Sequence, residues 1–300
     1  MTRKKLLTRI GIIAIVVLAL YYGSTHRGLT SNSAVSPNAT TKNILIVGST
    51  ALQPLAERAG AEYEKANRNT QITVQGGGSG AGLTQVAAGS VQIGNSDIFA
   101  ENSDGIDTSK IVGHKVAVVG IAPVVNKGVG LKNLTSTQLQ DIFTGRVTNW
   151  KQLGGPNLTI TVVNRSAGSG TRSVFEGAVL AGQAATKAQE QDSNGTVQKI
   201  VSATPGAISY LSFSYMSAQN IQALDINGVS PTRSNVETNR WRIWGYEFMY
   251  THGKAQGETR RFITFFQSKR IQQGIVQQLG YIPLAGMKVD KNAQGKVSDR

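Results

Sequence analysis

The chain has 300 residues, of which 40% are hydrophobic and 16% charged, which is enough for one large domain or two lobes with separate cores. It contains no cysteine, which excludes disulfides, thiolate nucleophiles, cysteine-based zinc sites and lipid attachment through cysteine. The formal net charge is +14, but the basic residues are scattered and the sequence shows no nucleic-acid-binding motif. We therefore expect no nucleic-acid partner.

The N-terminus combines a basic segment with a short apolar run. Four Lys and Arg side chains within residues 1–9 precede an apolar run over residues 10–22. This arrangement predicts that residues 1–22 are a signal peptide, with cleavage after Ser33, or an uncleaved signal anchor that attaches the chain to the membrane. Residues 23–42 are polar and predicted to be a flexible tether. The rest of the chain is therefore expected to work outside the cytoplasm, either secreted or anchored to the outer face of the cell membrane.

Three segments share one pattern, in which a strand, a loop of small residues and a helix follow one another. The strands are predicted at residues 44–47, 71–75 and 158–163, and the loops that precede each helix at residues 48–51, 76–82 and 165–171. Unpaired N–H groups and the positive end of the helix dipole favour an anion at each helix start. One such loop could be an ordinary capped helix start. Three of them predict that loops at the same ends of parallel strands converge on one small anion.

Other elements are predicted from apolar runs and spacing. Residues 116–125 and 241–250 form two long strands that could cross between lobes. A helix at residues 134–143 begins with the capping pair Thr135 and Gln138, and a single amphipathic helix is predicted at residues 258–279. The last ~15 residues are polar and predicted to be loose.

An ordered set of motifs resembles the extracytoplasmic phosphate-binding protein of bacterial phosphate ABC importers, in the periplasmic-binding-protein-like family. The motifs are Gly48-Ser49-Thr50-Ala51, Gly77-Gly78-Ser79-Gly80-Ala81-Gly82, Ile93-Gly94-Asn95-Ser96-Asp97, Ile142-Phe143-Thr144-Gly145 with Thr148-Asn149-Trp150, Arg165 with Gly168-Ser169-Gly170-Thr171-Arg172, Thr204-Pro205-Gly206-Ala207-Ile208 and Gly280-Tyr281-Ile282-Pro283-Leu284. They extend from about Asn43 to Leu284 in the family's order. Each motif is weak alone, whereas the ordered set is specific.

The resemblance implies an α/β fold with two lobes, of the type II periplasmic-binding-protein-like class, with two crossing hinge strands. Lobe one would comprise residues 43–122 and 247–300, and lobe two residues 123–246. The implied function is high-affinity capture of inorganic phosphate by hinged closure, followed by delivery to the permease subunits of an ABC importer. We expect a monomer that is not an enzyme and that uses no cofactor or metal.

The resemblance also implies phosphate ligands from both lobes. They are Ser49, Thr50, Ala51, Ser79 and Asp97 from lobe one, and Arg165, Ser169, Gly170 and Thr171 from lobe two. A carboxylate repels an anion unless the anion carries a proton to donate, so Asp97 should accept from phosphate and reject sulfate. Family members often carry an acid where this chain has Ala167, so Arg165 is expected to be less restrained.

Three alternatives follow from the residues alone. A secreted phosphatase, or a binder of another oxyanion, could use the same loops, although the histidines at positions 26, 114 and 252 are dispersed and the sequence has no G-x-S-x-G or Walker motif. An NAD-binding enzyme would use residues 76–81 as a G-x-G-x-x-A fingerprint, with Asp97 on the ribose. A wall-bound adhesin would use the positive charge but leaves the three matched loops without a role.

Overall fold

A computed structural model describes residues 41–300, in which strands and helices alternate along the chain. The predicted signal or anchor at residues 1–22 lies outside the described residues, and so does the predicted tether up to residue 40. In the described part of the chain, every helix is too short or too polar to cross a bilayer.

The strands and helices have the following bounds. The strands are β1 Lys42–Gly48, β2 Thr70–Gln75, β3 Ile93–Ser96, β4 Ile111–Asn126, β5 Asn133–Leu134, β6 Thr161–Arg165, β7 Gln189–Gln191, β8 Ala207–Ser212, β9 Ile221–Ala223, β10 Asp225–Ile226, β11 Trp244–His252, β12 Val289–Lys291 and β13 Val297–Asp299. The α-helices are α1 Gln53–Ala66, α2 Ser79–Ala87, α3 Ser136–Phe143, α4 Gly170–Val179, α5 Asn194–Ala203, α6 Arg233–Glu237, α7 Gly257–Phe266 and α8 Val276–Gln278.

One mixed sheet organises the structure, with strand order β2-β1-β3-β11-β4-β8-β6-β7 and with β9 also paired to β4. In one half of the sheet, β1 is parallel to both β2 and β3. In the other half, β6 is parallel to both β7 and β8. Because parallel strands end at the same edge of a sheet, each half collects its strand-to-helix loops at one edge. The predicted strand–loop–helix units at β1, β2 and β6 are confirmed.

Strand β4 joins the two halves of the sheet. Its residues 111–120 pair with β11, whereas residues 121–126 pair with β8 and β9. Every residue from Val116 to Asn126 is buried, as expected for a strand covered on both faces. The predicted long strand at residues 116–125 is thus confirmed.

The second predicted crossing strand, residues 241–250, begins later in the structure than predicted. Strand β11 begins only at Trp244 and pairs with β3 and β4 in the first half of the sheet. The chain crosses just before it, where the N–H of Ile121 donates to the carbonyl oxygen of Ile243 at 2.9 Å. The apolar run is continuous through this crossing, so it could not show where the strand begins.

The core lies on both faces of the sheet. On one face of the first half, helices α1 and α7 pack against β1 and β4 through Leu55, Phe262 and Phe266. In the second half, the Phe175 and Tyr210 rings stack with centroids 4.0 Å apart. The α3 capping box is present as predicted, with the Gln138 N–H donating to Thr135 Oγ1 at 3.1 Å. These contacts hold the ends of β1 and β6 in place.

The single long helix predicted at residues 258–279 is interrupted. Helix α7 ends at Phe266, and a π-helical turn at Ile271–Ile275 leads into α8. Phe266 and Ile271 are both buried although five positions apart, a spacing that one regular α-helical face does not provide. The break and the wider turn bring both side chains onto the core.

The prediction that the C-terminal residues are loose is wrong. They form a hairpin of β12 and β13, in which Val289 is buried. Lys291 Nζ lies 3.9 Å from the centroid of the Trp244 ring and donates to the Trp244 carbonyl at 2.7 Å. These contacts are tertiary, so the polar local sequence gave no sign of them.

Candidate anion-binding site

The structure brings all nine predicted site residues together where the two halves of the sheet face each other, and all nine are buried. The hydrogen bonds that cross between the halves include three made by residues of the predicted motifs. Arg165 Nη2 donates to Thr50 Oγ1 at 3.2 Å, and Thr171 Oγ1 donates to Asp97 Oδ2 at 2.8 Å. The N–H of Gly80 donates to the carbonyl of Gly168 at 2.9 Å. The cleft between the halves is therefore closed.

The first loop lies between β1 and α1. Ser49 Oγ accepts from the N–H groups of Ala51 and Leu52 at 3.0 and 3.1 Å, so this side chain holds the turn before the helix while its hydroxyl hydrogen can still donate. Gly48 has φ +139°, and a Cβ there would lie 2.1 Å from the carbonyl oxygen of Asn95. Only glycine permits this approach of β1 to β3, which sets the loop beside the segment that carries Asp97.

Ser79 and Asp97 form the next part of the site. Helix α2 begins at Ser79, inside the segment predicted as a loop, and Ser79 Oγ accepts from the N–H of Asp97 at 3.0 Å. The start of α4 packs directly on this pair, because a Cβ on Gly170 would lie 2.2 Å from Ser79 Oγ and 2.9 Å from Asp97 Cβ. Ser169 Oγ caps α4 by accepting from the N–H of Arg172 at 3.2 Å.

Arg165 is the last residue of β6 and retains 1% exposure. Its Nε donates to the carbonyl of Gln191 at 3.1 Å, and its Nη2 donates to the carbonyl of Asp192 at 2.8 Å. The expectation that Arg165 is less restrained, because Ala167 replaces an acid, is therefore wrong. Backbone carbonyls at the end of the paired strand β7 hold the guanidinium instead.

Each of the two charged side chains, Arg165 and Asp97, has one buried atom without a hydrogen-bond partner among residues 41–300. Burial lowers the pKa of Arg165, and the Asp97 carboxylate opposes that effect, so the guanidinium stays cationic. Among residues 41–300, Arg165 Nη1 has no hydrogen-bond partner, and Asp97 Oδ1 receives no bond from an N–H or hydroxyl group. Leaving a buried polar group unpaired costs about 1–3 kcal/mol. The pair therefore fits a ligand that both accepts and donates, as a protonated oxyanion does.

Two site residues were not predicted. Asn194 begins α5, is fully buried, and places Nδ2 3.3 Å from Thr50 Oγ1 and 3.4 Å from Thr171 Oγ1. Its only sequence signal is its position at a helix start, which many asparagines share. Glu247 is also fully buried, and it carried a stronger signal, as an acid inside the apolar run that forms β11.

The groups that the enzymatic alternatives would need lie outside the cleft or are covered, as far as the described residues show. His114 Nε2 is 3.3 Å from Thr251 Oγ1 and His252 Nδ1 is 3.2 Å from the carbonyl oxygen of Val86, so both rings bond outside the cleft. Residues 41–300 hold no group of three potential metal-ligating acids or histidines. The start of α2, which a dinucleotide would need, is covered by the Gly168 backbone.

The fold and the site define a class of protein, one that encloses a small oxyanion between two α/β lobes. The family model for the PBP superfamily domain matches residues 33–270. The chain is 43% identical over 300 residues to the phosphate-binding protein PstS of Bacillus subtilis, covering 99% of this chain and 100% of that protein. It is 25% identical to the protein of the same name from Borreliella burgdorferi, over 80% of this chain and 90% of that one.

Solved structures agree with these relatives. The chain is similar to a Clostridium perfringens protein described as a phosphate ABC transporter substrate-binding protein with bound phosphate. The TM-score is 0.76 at 29% identity, covering 81% of this chain and 100% of that one. An ABC-type phosphate transport receptor from Vibrio cholerae matches with a TM-score of 0.64 at 27% identity, over 80% and 99% of the two chains. The chain belongs to the PBP superfamily and, within it, to the family of PstS phosphate-binding proteins. The predicted family and fold class are confirmed.

Proposed function

We propose that this protein captures inorganic phosphate outside the cytoplasm and delivers it unchanged to the permease of a phosphate ABC importer. One observation carries the proposal. A closed cleft holds a buried guanidinium donor on Arg165 and a buried carboxylate acceptor on Asp97, each with an unpartnered atom among residues 41–300. Relatives named as phosphate-binding proteins, one of them solved with bound phosphate, support the same function.

The proposed phosphate ligands come from both halves of the sheet. They are Ser49, Thr50, Ala51, Ser79, Asp97, Arg165, Ser169, Gly170 and Thr171. Hydroxyl and backbone N–H groups at the starts of α1, α2 and α4 surround the oxyanion, where helix dipoles favour negative charge. Arg165 adds a charge-assisted bond. Asp97 accepts the proton that phosphate keeps at neutral pH, and sulfate, which lacks this proton, meets a repelling carboxylate.

Binding and release follow from hinged closure. We infer that residues 43–122 and 247–300 form one lobe and residues 123–246 the other, with β4 and the chain just before β11 as the connections. Phosphate bonded to both lobes stabilises the closed state over the open one. Release then requires the permease to favour the open state, in which the Thr171–Asp97 and Gly80–Gly168 hydrogen bonds are broken.

Capture without reaction is favoured over hydrolysis of a phosphate ester. An ester needs an exit for its organic group, but Ser79, Asp97 and Arg165 are each at most 2% exposed. The site hydroxyls of Ser49 and Ser169 accept bonds from backbone N–H groups, and the histidines of the described residues bond outside the cleft, so neither hydroxyl is paired with a described histidine base.

We also infer the location and the state of the protein. It acts as a monomer on the outer side of the cell membrane. The basic and apolar segment at residues 1–22 either remains as a membrane anchor or is removed as a signal peptide.

Calorimetry on the purified full-length protein tests the proposal. Phosphate and arsenate, which both keep a proton at neutral pH, should bind, whereas sulfate should not. Equal binding of phosphate and sulfate would refute the role of Asp97, and absence of phosphate binding would refute the function. Release of product from a chromogenic phosphate ester would instead support a phosphatase.

A further inference from the structure

Glu247 is a buried acid without a cation. It lies in the middle of β11 and is 0% exposed. Neither of its carboxyl oxygens receives a bond from an N–H or hydroxyl group of residues 41–300. The ion pairs within that part of the chain do not include it. Acids are almost never fully buried unless they are paired, so this side chain requires an explanation.

The register of the sheet places Glu247 beside the anion site. Strands β3 and β11 are antiparallel, and Ser96, the last residue of β3, is the partner of Phe248; Asp97 directly follows Ser96 and Glu247 directly precedes Phe248. A Cβ on Gly245 would lie 2.9 Å from the carbonyl oxygen of Asp97, which shows how closely this segment lies over β11. The pKa of Glu247 responds to Asp97, which shows that the two carboxyl groups interact.

Two buried carboxyl groups in contact do not both ionise, because like charges repel strongly away from water. Asp97 has partners that favour its charged form, since Thr171 donates to it at 2.8 Å and the Arg165 guanidinium interacts with it. Burial raises the pKa of Glu247 well above its usual range, and the Asp97 carboxylate raises it further. The proton therefore resides on Glu247.

The other surroundings of Glu247 offer no compensating charge. The remaining titratable groups that interact with it are the Tyr215 and Tyr281 phenols, which burial keeps neutral. Helix α2, which packs against β11, contains no charged residue. On β4, Ala117 is opposite Glu247, while Lys115 Nζ lies 3.7 Å from the Tyr246 ring centroid.

Helix α4 also packs against β11, and its charges are bonded to each other. Arg172 Nε donates to Glu176 at 2.8 Å, so this pair does not neutralise Glu247.

We propose that Glu247 carries a proton at neutral pH and donates it in a hydrogen bond to Asp97, so that Asp97 is held as the ionised acceptor that selects phosphate. Glu247 is thus a positioning residue, and the inference rests on the proposed function. An ionised carboxylate has about four acceptor positions, so Asp97 can accept from Glu247, Thr171 and the phosphate proton together. Without the Glu247 donor, the Asp97 carboxylate loses a hydrogen bond that orients it toward the anion.

Two substitutions separate this role from simple packing. Glu247→Gln keeps a neutral donor of nearly the same shape, whereas Glu247→Met keeps the volume and removes the donor. Calorimetry on the full-length protein should measure phosphate and sulfate affinity from about pH 5 to about pH 9.5. E247Q should bind phosphate within about threefold of wild type at neutral pH, and E247M about tenfold more weakly.

Phosphate affinity at alkaline pH provides a second measurement. Wild-type affinity for phosphate should fall as Glu247 loses its proton and a second negative charge meets the anion, whereas E247Q should not show this loss. If E247M does not fold, the alkaline phosphate affinities of E247Q and wild type still test the inference. The inference is overturned if E247Q loses phosphate affinity at alkaline pH as wild type does, if E247Q binds phosphate as weakly as E247M, or if E247M matches wild type in phosphate affinity. Wild-type protein that binds no phosphate would instead refute the proposed function.

Discussion

Replacing Gly170 by alanine should greatly weaken phosphate binding while leaving the fold intact. The added methyl group would lie 2.2 Å from Ser79 Oγ, 3.0 Å from Ser79 Cβ and 2.9 Å from Asp97 Cβ. Ordinary contacts between carbon atoms are about 3.5–4 Å. Rotation of the Ser79 hydroxyl cannot relieve the contacts with the two Cβ atoms, so the cleft would have to open by about 1 Å.

The cost follows from the hydrogen bonds that this opening breaks. They are the Thr171–Asp97 bond at 2.8 Å and the Gly80–Gly168 bond at 2.9 Å. A bond to a charged group contributes about 1.5–3 kcal/mol and a neutral one about 1 kcal/mol. The closed state should therefore lose roughly 2.5–4 kcal/mol, which weakens the phosphate Kd by about 100-fold to about 1,000-fold.

Calorimetry with phosphate and thermal unfolding of the same samples measure the two effects separately. Gly170 does not have positive φ, so alanine can adopt its backbone conformation. Gly177→Ala is the matched control, because Gly177 lies in the same helix and a Cβ there meets nothing within 4 Å. G177A should keep the wild-type Kd and gain up to about 1 kcal/mol of stability. If G170A binds phosphate as tightly as G177A, the close approach of α4 to Ser79 is not part of the binding state.

Three further substitutions test single groups. Asp97→Asn should weaken phosphate binding and admit sulfate, because the amide can donate where the carboxylate repels; calorimetry that still shows sulfate rejected would contradict the proton-acceptor role. Arg165→Ala should cost about 1.5–3 kcal/mol of phosphate binding free energy, the range for a charge-assisted bond, and an unchanged Kd would place the anion elsewhere. The Glu258 carboxylate accepts hydrogen bonds from Arg261 and from the Tyr63 hydroxyl, and these bonds lower the pKa of Glu258 from 4.5 to about 2. An acid whose pKa is lower in the folded state than in the unfolded state stabilises the fold at pH values above its unfolded-state pKa. This contribution should disappear as pH falls through about 2. The unfolding free energies of wild type and Glu258→Gln, measured by urea titration at several pH values, should converge in that range, and a constant difference would contradict the ionic role.

The sequence alone determined the elements that depend on neighbours along the chain. Apolar runs predicted β1, β2 and β4, and glycine, serine and threonine after a strand predicted the helix starts that form the site. The Thr135–Gln138 capping box was equally local, because its partners are three positions apart. Arg165 and Asp97 were identified through the ordered motifs of the family resemblance, in which each residue type has a fixed place along the chain.

The tertiary structure alone decided the contacts between distant segments. Thr50 and Arg165 are 115 positions apart, and the carbonyls that restrain Arg165 belong to a separate strand end. The C-terminal hairpin, the role of Asn194 and the pairing of Glu247 with Asp97 likewise depend on which strands are neighbours in the sheet. Strand order depends on the burial of whole sheet faces, to which many residues contribute. The local sequence pattern around any one contact therefore does not show which strands are neighbours.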